Sequence, residues 1–162
     1  MHALAGFRYF IVMEGGCTCG AIRYRLDDKP LIVHCCHCSW CQRETGSAFV
    51  INAMIESSRV ALLSGQPELI LAPSASGRGQ KIMRCPTCKV ALWSHYSHDA
   101  FAFVRVGTLD NPNAAPPDVH IFTSTKQDWV ALPEGARVFP EYYDVSSVWS
   151  DESRARARVA RG

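Results

Sequence analysis

Residues 34–49 read HCCHCSWCQRETGSAF and place four cysteines and two histidines within the first eight positions. A packed apolar core has no need for so many thiols and imidazoles in one short stretch. These groups are, however, the ligands that zinc prefers in proteins. Zinc takes four of them at a structural site, and three plus a water or substrate at a catalytic site. The stretch therefore predicts a metal-binding knuckle.

Eight cysteines occur in the chain, and they fall into three short groups: CTC (17–19), CCHCSWC (35–41) and CPTC (85–88). Disulfides are disfavoured because such tight groups do not tie distant loops together, and because 162 residues can bury a sizeable core without them. The first and last groups each offer two thiolates to one ion. If the fold brings them together, they form a closed four-cysteine site.

The central group offers one thiol more than an open metal site needs. Cys36, Cys38 and Cys41 can reach one ion and leave its fourth position free, which is the catalytic pattern. Cys35 is left out, because consecutive side chains of an extended chain point in opposite directions. Three thiolates give the zinc unit a net negative charge, so a soft fourth ligand such as a substrate thiol is favoured.

An iron–sulfur interpretation of the same group is less favoured. Cys35, Cys38 and Cys41 have the spacing of bacterial ferredoxins, but the next cysteine of that pattern should follow three residues later. It lies instead at Cys85. His34 and His37 flank the group as further candidate ligands or as hydrogen-bond partners of ligands.

The composition is that of an ordinary folded protein, with 48% hydrophobic and 20% charged residues and a net charge of +2. This balance predicts no strong attraction to nucleic acid or to a membrane surface. No apolar run approaches the ~20 residues of a membrane span. One domain is expected. The N-terminus shows no convincing export signal, so a reducing, cytoplasmic location is expected.

Short apolar or alternating runs separated by glycine and proline predict a β-rich domain with metal knuckles between strands. The predicted strands cover residues 21–26, 47–55, 59–65, 68–72, 90–96, 100–109 and 118–124. The best helical candidate is CSWCQRET (38–45).

The two ends of the chain are expected to differ from this domain. Residues 1–12 are predicted to be an N-terminal extension, since Met13 offers an alternative start. Residues 13–145 form the predicted zinc-binding domain. Residues 146–162 carry four arginines and are expected to be a flexible tail. A weak amphipathic helix, or a basic contact with RNA or an acidic partner, is the alternative for this tail.

Taken together, several motifs resemble the glutathione-dependent formaldehyde-activating enzyme family. They occur in the family's order and cover roughly residues 14–140. The matching segments are GGCTCGAIRY (15–24), CHCSWCQRETGSAF (36–49), CPTC (85–88), GTLDNP (107–112) and PDVHIFTSTKQDW (117–129).

This resemblance implies a mainly β, Mss4-like single domain of antiparallel sheets with zinc knuckles between the strands. It implies two zinc ions: a structural zinc and a catalytic zinc. The structural ligands would be Cys17, Cys19, Cys85 and Cys88, and the catalytic ligands Cys36, Cys38 and Cys41. The implied activity joins glutathione and formaldehyde, or a related aldehyde, into S-(hydroxymethyl)glutathione, which is carbon–sulfur lyase chemistry in reverse.

Five further residues are candidates for substrate binding. Arg43 could pair with a glutathione carboxylate, and the segment Thr45, Gly46, Ser47 could present hydroxyls and a backbone N–H to the substrate. His120 lies in an apolar strand and could line the site. Each has a structural alternative: Thr-Gly-Ser is also common turn chemistry, and a lone arginine or strand histidine is often simply exposed.

One departure from the family pattern concerns Lys89, which follows CPTC where the family usually has glycine. If that position needs a positive φ, a lysine there is strained. Two other functions stay open: a non-catalytic zinc domain that binds a protein or nucleic-acid partner, and a thiol redox or metal sensor using Cys35. The sequence leaves the aldehyde, the thiol and the oligomeric state undetermined.

Overall fold

The structure is a computed structural model and describes residues 12–162. The predicted N-terminal extension therefore lies outside the described residues, apart from Val12. Within residues 12–162, no helix is both long enough and apolar enough to cross a membrane.

Strands make up most of the regular structure of the described residues, and the helices are short. The strands are β1 (Met13–Gly16), β2 (Arg23–Leu26), β3 (Ile32–Cys36), β4 (Val50–Glu56), β5 (Val60–Ser64), β6 (Glu68–Ala72), β7 (Gln80–Arg84), β8 (Ala91–His95), β9 (Phe101–Arg105) and β10 (Val119–Ile121). The helices are α1 (Ser39–Thr45), α2 (Val145–Val148) and α3 (Asp151–Arg161). Single 3₁₀ turns cover Ser57–Arg59, Val106–Thr108, Pro112–Ala114 and Thr123–Thr125.

These strands form two sheets. One has the order β1-β2-β5, and the other has the order β10-β3-β4-β9-β8-β7-β6. Neighbouring strands are antiparallel except for β10 and β3, which are parallel and place His120 beside Cys35. The predicted mainly β single domain with cysteine groups between strands is confirmed, and the parallel pair is an addition to it.

One apolar core lies between the two sheets. Tyr24 of the small sheet packs edge-on against Trp93 of the large sheet, with ring centroids 5.6 Å apart. A second core covers the other face of the large sheet and includes Met54, Phe101 and Trp149. Strands β3 and β4 are therefore buried on both faces, which suits their nearly continuous apolar sequences.

The C-terminal residues differ from the flexible tail expected of them. Ser150 caps α3 by accepting the backbone N–H of Ser153, and the inward face of the helix buries Ser153 and Ala157. Arg156 forms an ion pair with Glu56 of β4, with a closest distance of 2.6 Å. Helix α3 packs against the rest of the protein for two reasons. Its buried positions carry small side chains, and Arg156 pairs with the buried carboxylate of Glu56.

Candidate metal centres

The first cysteine cluster joins the turn after β1 to the turn between β7 and β8. It consists of Cys17, Cys19, Cys85 and Cys88, whose sulfur atoms all lie within 4.8 Å of one another. The Sγ atoms of Cys17 and Cys19 are 3.5 Å apart, and those of Cys19 and Cys85 are 3.7 Å apart. Four thiolates bound tetrahedrally at about 2.3 Å would be roughly 3.7 Å apart, so this donor set fits zinc.

Backbone hydrogen bonds position both cysteine pairs of this first cluster. The N–H of Ile22 donates to Cys17 Sγ at 3.3 Å, and the N–H of Cys88 donates to Cys85 Sγ at 3.5 Å. Backbone hydrogen bonds, first that of Val90, lower the pKa of the Cys88 thiol to about 6. Lys89 has a φ of 63°, so the strain expected of a non-glycine residue after CPTC is present.

The second cluster is formed by Cys36, Cys38 and Cys41, where β3 ends and α1 begins. Cys38 is extended and caps α1, since its Sγ accepts the N–H of Cys41 at 3.3 Å. One helical turn then brings Cys41 back beside it, and the three sulfur atoms lie within 4.8 Å of one another. The chain therefore gathers three thiols from six consecutive residues by switching from strand to helix.

Because the three thiols lie close together, their pKa values differ from one another. Hydrogen bonds from Cys36 and Cys41 stabilise a thiolate at Cys38 and lower its pKa to about 2. Hydrogen bonding to Cys38 and Cys41, together with burial, raises the pKa of Cys36. All three thiols could ionise at this spacing only with a cation among them, and three thiolates are a donor set that fits a metal ion.

A cavity of about 720 Å³ opens beside the second cluster, and all three of its cysteines lie in the wall. Aromatic rings form much of the remaining wall. These rings are Trp40, Tyr96, Phe103, Phe122 and Tyr142. The cysteines of the first cluster are not among the residues that line this cavity. The two clusters thus differ in ligand number and in position, because the first has four thiols and the second has three thiols beside a cavity.

Arg105 brings a buried positive charge to the wall of this cavity. Its side chain donates hydrogen bonds to Asn52 Oδ1 and, at 2.9 Å, to Ser94 Oγ. The Nε atom has no hydrogen-bond partner, and no carboxylate of residues 12–162 forms an ion pair with this arginine. A buried cation with neutral partners and a free N–H favours an anionic group in the cavity.

Arg105 and Asn52 were missed from sequence, although a signal exists. Both interrupt otherwise apolar strands, in FAFVR (101–105) and VINAMI (50–55). The antiparallel register of β4 and β9 pairs them directly. Two polar residues in buried strands that face each other across a ladder indicate a functional site, but this inference requires the register.

The five predicted substrate residues lie elsewhere. Gly46 is the left-handed C-cap of α1 with a φ of 63°, and Thr45 donates its hydroxyl to the carbonyl of Cys41 at 2.9 Å. Arg43 and Ser47 are exposed at the same helix end. His120 lies in β10 beside Cys35. None of the five is among the residues that line the cavity. Thr45 and Gly46 instead form the end of α1.

Comparison with known proteins agrees with the motifs. Residues 12–125 match the family model described as glutathione-dependent formaldehyde-activating enzyme. A curated protein of Halomonas elongata whose name refers to the same enzyme is 27% identical over 144 residues, which is 84% of this chain and 92% of that protein. A crystal structure of a Rhodobacter sphaeroides protein covers 78% of this chain and 99% of its own chain, with 20% identity and a TM-score of 0.47.

Proposed function

The chain belongs to the glutathione-dependent formaldehyde-activating enzyme family, and from this membership we propose that it joins glutathione to formaldehyde or a related aldehyde. The thiol sulfur forms a bond to the aldehyde carbon as the carbon–oxygen π bond breaks. The oxygen gains one proton, which balances the proton that the thiol loses. The product is an S-(hydroxyalkyl)glutathione, and the enzyme is a carbon–sulfur lyase working in the synthetic direction.

The position of Cys36, Cys38 and Cys41 in the wall of a cavity of about 720 Å³ carries this proposal. This volume lies in the range of small-molecule sites. The three thiols would hold a catalytic zinc, and the four thiols of the first cluster would hold a structural one. Zinc bound by three thiolates supplies a fourth coordination position that keeps a substrate thiol ionised near neutral pH.

We assign to Arg105 the role of stabilising the negative charge that develops on the aldehyde oxygen. Its Nε–H has no hydrogen-bond partner among the described residues, and its charge lies in a largely apolar wall. Electrostatic interactions are strong in such surroundings and need little reorganisation during the reaction. Arg105 stays protonated throughout, so it stabilises the alkoxide oxygen by hydrogen bonding and charge while solvent supplies the proton.

The aromatic rings of the cavity wall are proposed to contact the substrate. Phe122 contributes a ring although its φ of 54° is unfavourable for a bulky residue. Strain of this kind persists only where the surrounding structure holds it in place, and it is frequent at ligand sites. The rings would pack on the substrate and shield the aldehyde carbon from attack by water.

Exchange spectroscopy tests the proposal. Zinc-loaded protein is added to glutathione and ¹³C-labelled formaldehyde, and the rate of adduct exchange is read by NMR. We expect wild type to raise this rate and Cys38→Ser to reduce it to that of buffer. Circular dichroism and retention of the structural zinc confirm that Cys38→Ser stays folded. Fully metal-loaded wild type that leaves the rate of buffer unchanged with glutathione would favour the non-catalytic zinc domain.

A further inference from the structure

Three metal-ligating side chains lie together outside both cysteine clusters. They are Cys35, His37 and His120, and none is among the residues that line the cavity. Cys35 is 2% exposed and His37 is fully buried, whereas His120 is partly exposed. The function proposed above assigns no role to any of them.

The backbone places these three side chains on one face. Cys35 and His37 alternate with Cys36 and Cys38 along an extended stretch, so the two pairs point to opposite sides. His120 of β10 is the direct neighbour of Cys35 in the parallel ladder. Strand alternation and cross-strand pairing therefore create a second donor set on the side of β3 facing away from the second cluster.

The three donor atoms lie close together. His37 Nε2 lies 3.5 Å from Cys35 Sγ and 3.1 Å from His120 Nδ1, and the three atoms all lie within 4.8 Å of one another. With zinc–nitrogen bonds of about 2.0–2.1 Å and a zinc–sulfur bond of about 2.3 Å, tetrahedral geometry gives separations of roughly 3.4 Å and 3.6 Å. The observed distances are close to these values.

From this arrangement we propose that Cys35, His37 and His120 form a third metal site, suited to zinc and distinct from both cysteine clusters. One thiolate and two neutral imidazoles would leave the ion a net charge of +1, in contrast to the net negative charge of the three-cysteine site. The partly exposed side of His120 leaves room for a water molecule as the fourth ligand.

A simple hydrogen-bonded chain explains the geometry less well. Both short contacts end on the same atom, His37 Nε2, and a ring nitrogen carries either one hydrogen or one lone pair in its plane. It can therefore satisfy one partner well, and the other contact is left unsatisfied in a buried location. A metal ion between the three atoms binds all of them at once.

Metal content per chain tests the proposal on the full chain purified with zinc. We expect three zinc ions in wild type, two in His120→Asn and two in Cys35→Ser. His98→Asn is the matched control, since His98 is exposed and outside every cluster, and it should keep three. Cys38→Ser should independently lose one ion, and Cys38→Ser combined with His120→Asn should lose two.

X-ray absorption at the zinc edge gives a second readout that needs no variant to fold. The first two clusters contain only sulfur ligands, so imidazole scattering in wild type supports the third site. A sulfur-only spectrum of wild type with two ions per chain would overturn it. These outcomes do not depend on turnover: an inactive protein with three ions would contradict the proposed function and leave the third site standing.

Discussion

At the scale of single residues, Arg105 sets the electrostatics of the cavity. We predict that Arg105→Met lowers kcat/KM for adduct formation by about 100-fold, which is typical when a donor to a developing oxyanion is removed. The loss should fall on kcat rather than KM, because the charge on oxygen grows only in the transition state. Steady-state kinetics on glutathione and formaldehyde measure both parameters.

Arg105→Lys is the matched variant, since it keeps the charge and loses the planar guanidinium. It should recover part of kcat. Asn52 and Ser94 lose a donor in Arg105→Met, so both variants are assayed well below their melting temperatures. A rise in KM with kcat unchanged would show that Arg105 binds the substrate in its ground state and does not stabilise the developing charge.

Lys89 shows how one residue can hold a metal knuckle under strain. Its φ of 63° suits glycine, and its exposed ion pair with Glu68 compensates little. We predict that Lys89→Gly raises stability by about 1 kcal/mol, and hence the melting temperature of the zinc-loaded protein by about 2–4 °C. Glu68→Gln removes the ion pair alone and serves as control. A lower melting temperature for Lys89→Gly than for Glu68→Gln would refute the strain.

Site residues that lie close together in the sequence could be predicted, whereas site residues that are brought together by strand pairing could not. Cys38 and Cys41 are three positions apart, so any extended-to-helical switch brings them together. Arg105 reaches the site only because β9 pairs with β4, and His120 reaches Cys35 only because β10 pairs with β3. Neither pairing is encoded in the spacing of the residues along the chain.

At the scale of elements, the ion pair between Arg156 and Glu56 secures α3 on β4. Burial alone would raise the pKa of Glu56, but hydrogen bonds from Arg156 outweigh it and hold that pKa below its usual value. We predict that Arg156→Met lowers the free energy of unfolding by about 2 kcal/mol at pH 7. The cost stays below that of a fully unpaired charge because Arg59 remains 3.4 Å from Glu56. Arg158→Met, on the exposed side of α3, is the matched control.

The sign of the pH dependence follows from the direction of the shift. A carboxyl group whose folded pKa is depressed stabilises the protein above its unfolded pKa and loses that contribution as the pH falls through the folded value. The difference in stability between wild type and Arg156→Met should therefore shrink below about pH 4.5. Taking the difference cancels effects common to both proteins, such as thiolate protonation. A difference that stays constant from pH 7 to pH 3 would contradict the coupling.

Some strands were predicted closely from the sequence, and others were missed. The predicted strand at 68–72 matches β6 at both ends. Strand β3 was missed because it is buried on both faces and reads as an apolar run that continues into the cysteine group. Helix α3 was expected to be flexible because its arginines suggested full solvation, whereas the partner of Arg156 lies 100 residues away on β4.

At the scale of the whole molecule, the first cysteine cluster connects the two sheets. Cys17 and Cys19 follow β1 of the small sheet, and Cys85 and Cys88 join β7 to β8 of the large sheet. The second cluster lies within one short stretch between β3 and α1. A metal ion bound by the first cluster would therefore hold the two sheets together. An ion bound by the second cluster would stabilise only the local turn between β3 and α1.

This difference predicts unequal effects of the same substitution. Cys88→Ser and Cys38→Ser should each lose one zinc ion, but only the first should lose a contact between sheets. Metal binding at structural sites is worth several kcal/mol or more. We expect Cys88→Ser to lower the melting temperature by roughly 10 °C or more and Cys38→Ser by about 3 °C or less. A chelator that strips the zinc from wild type should lower the melting temperature by at least the larger shift. Equal shifts for the two variants would show that the first cluster stabilises the fold no more than the second does.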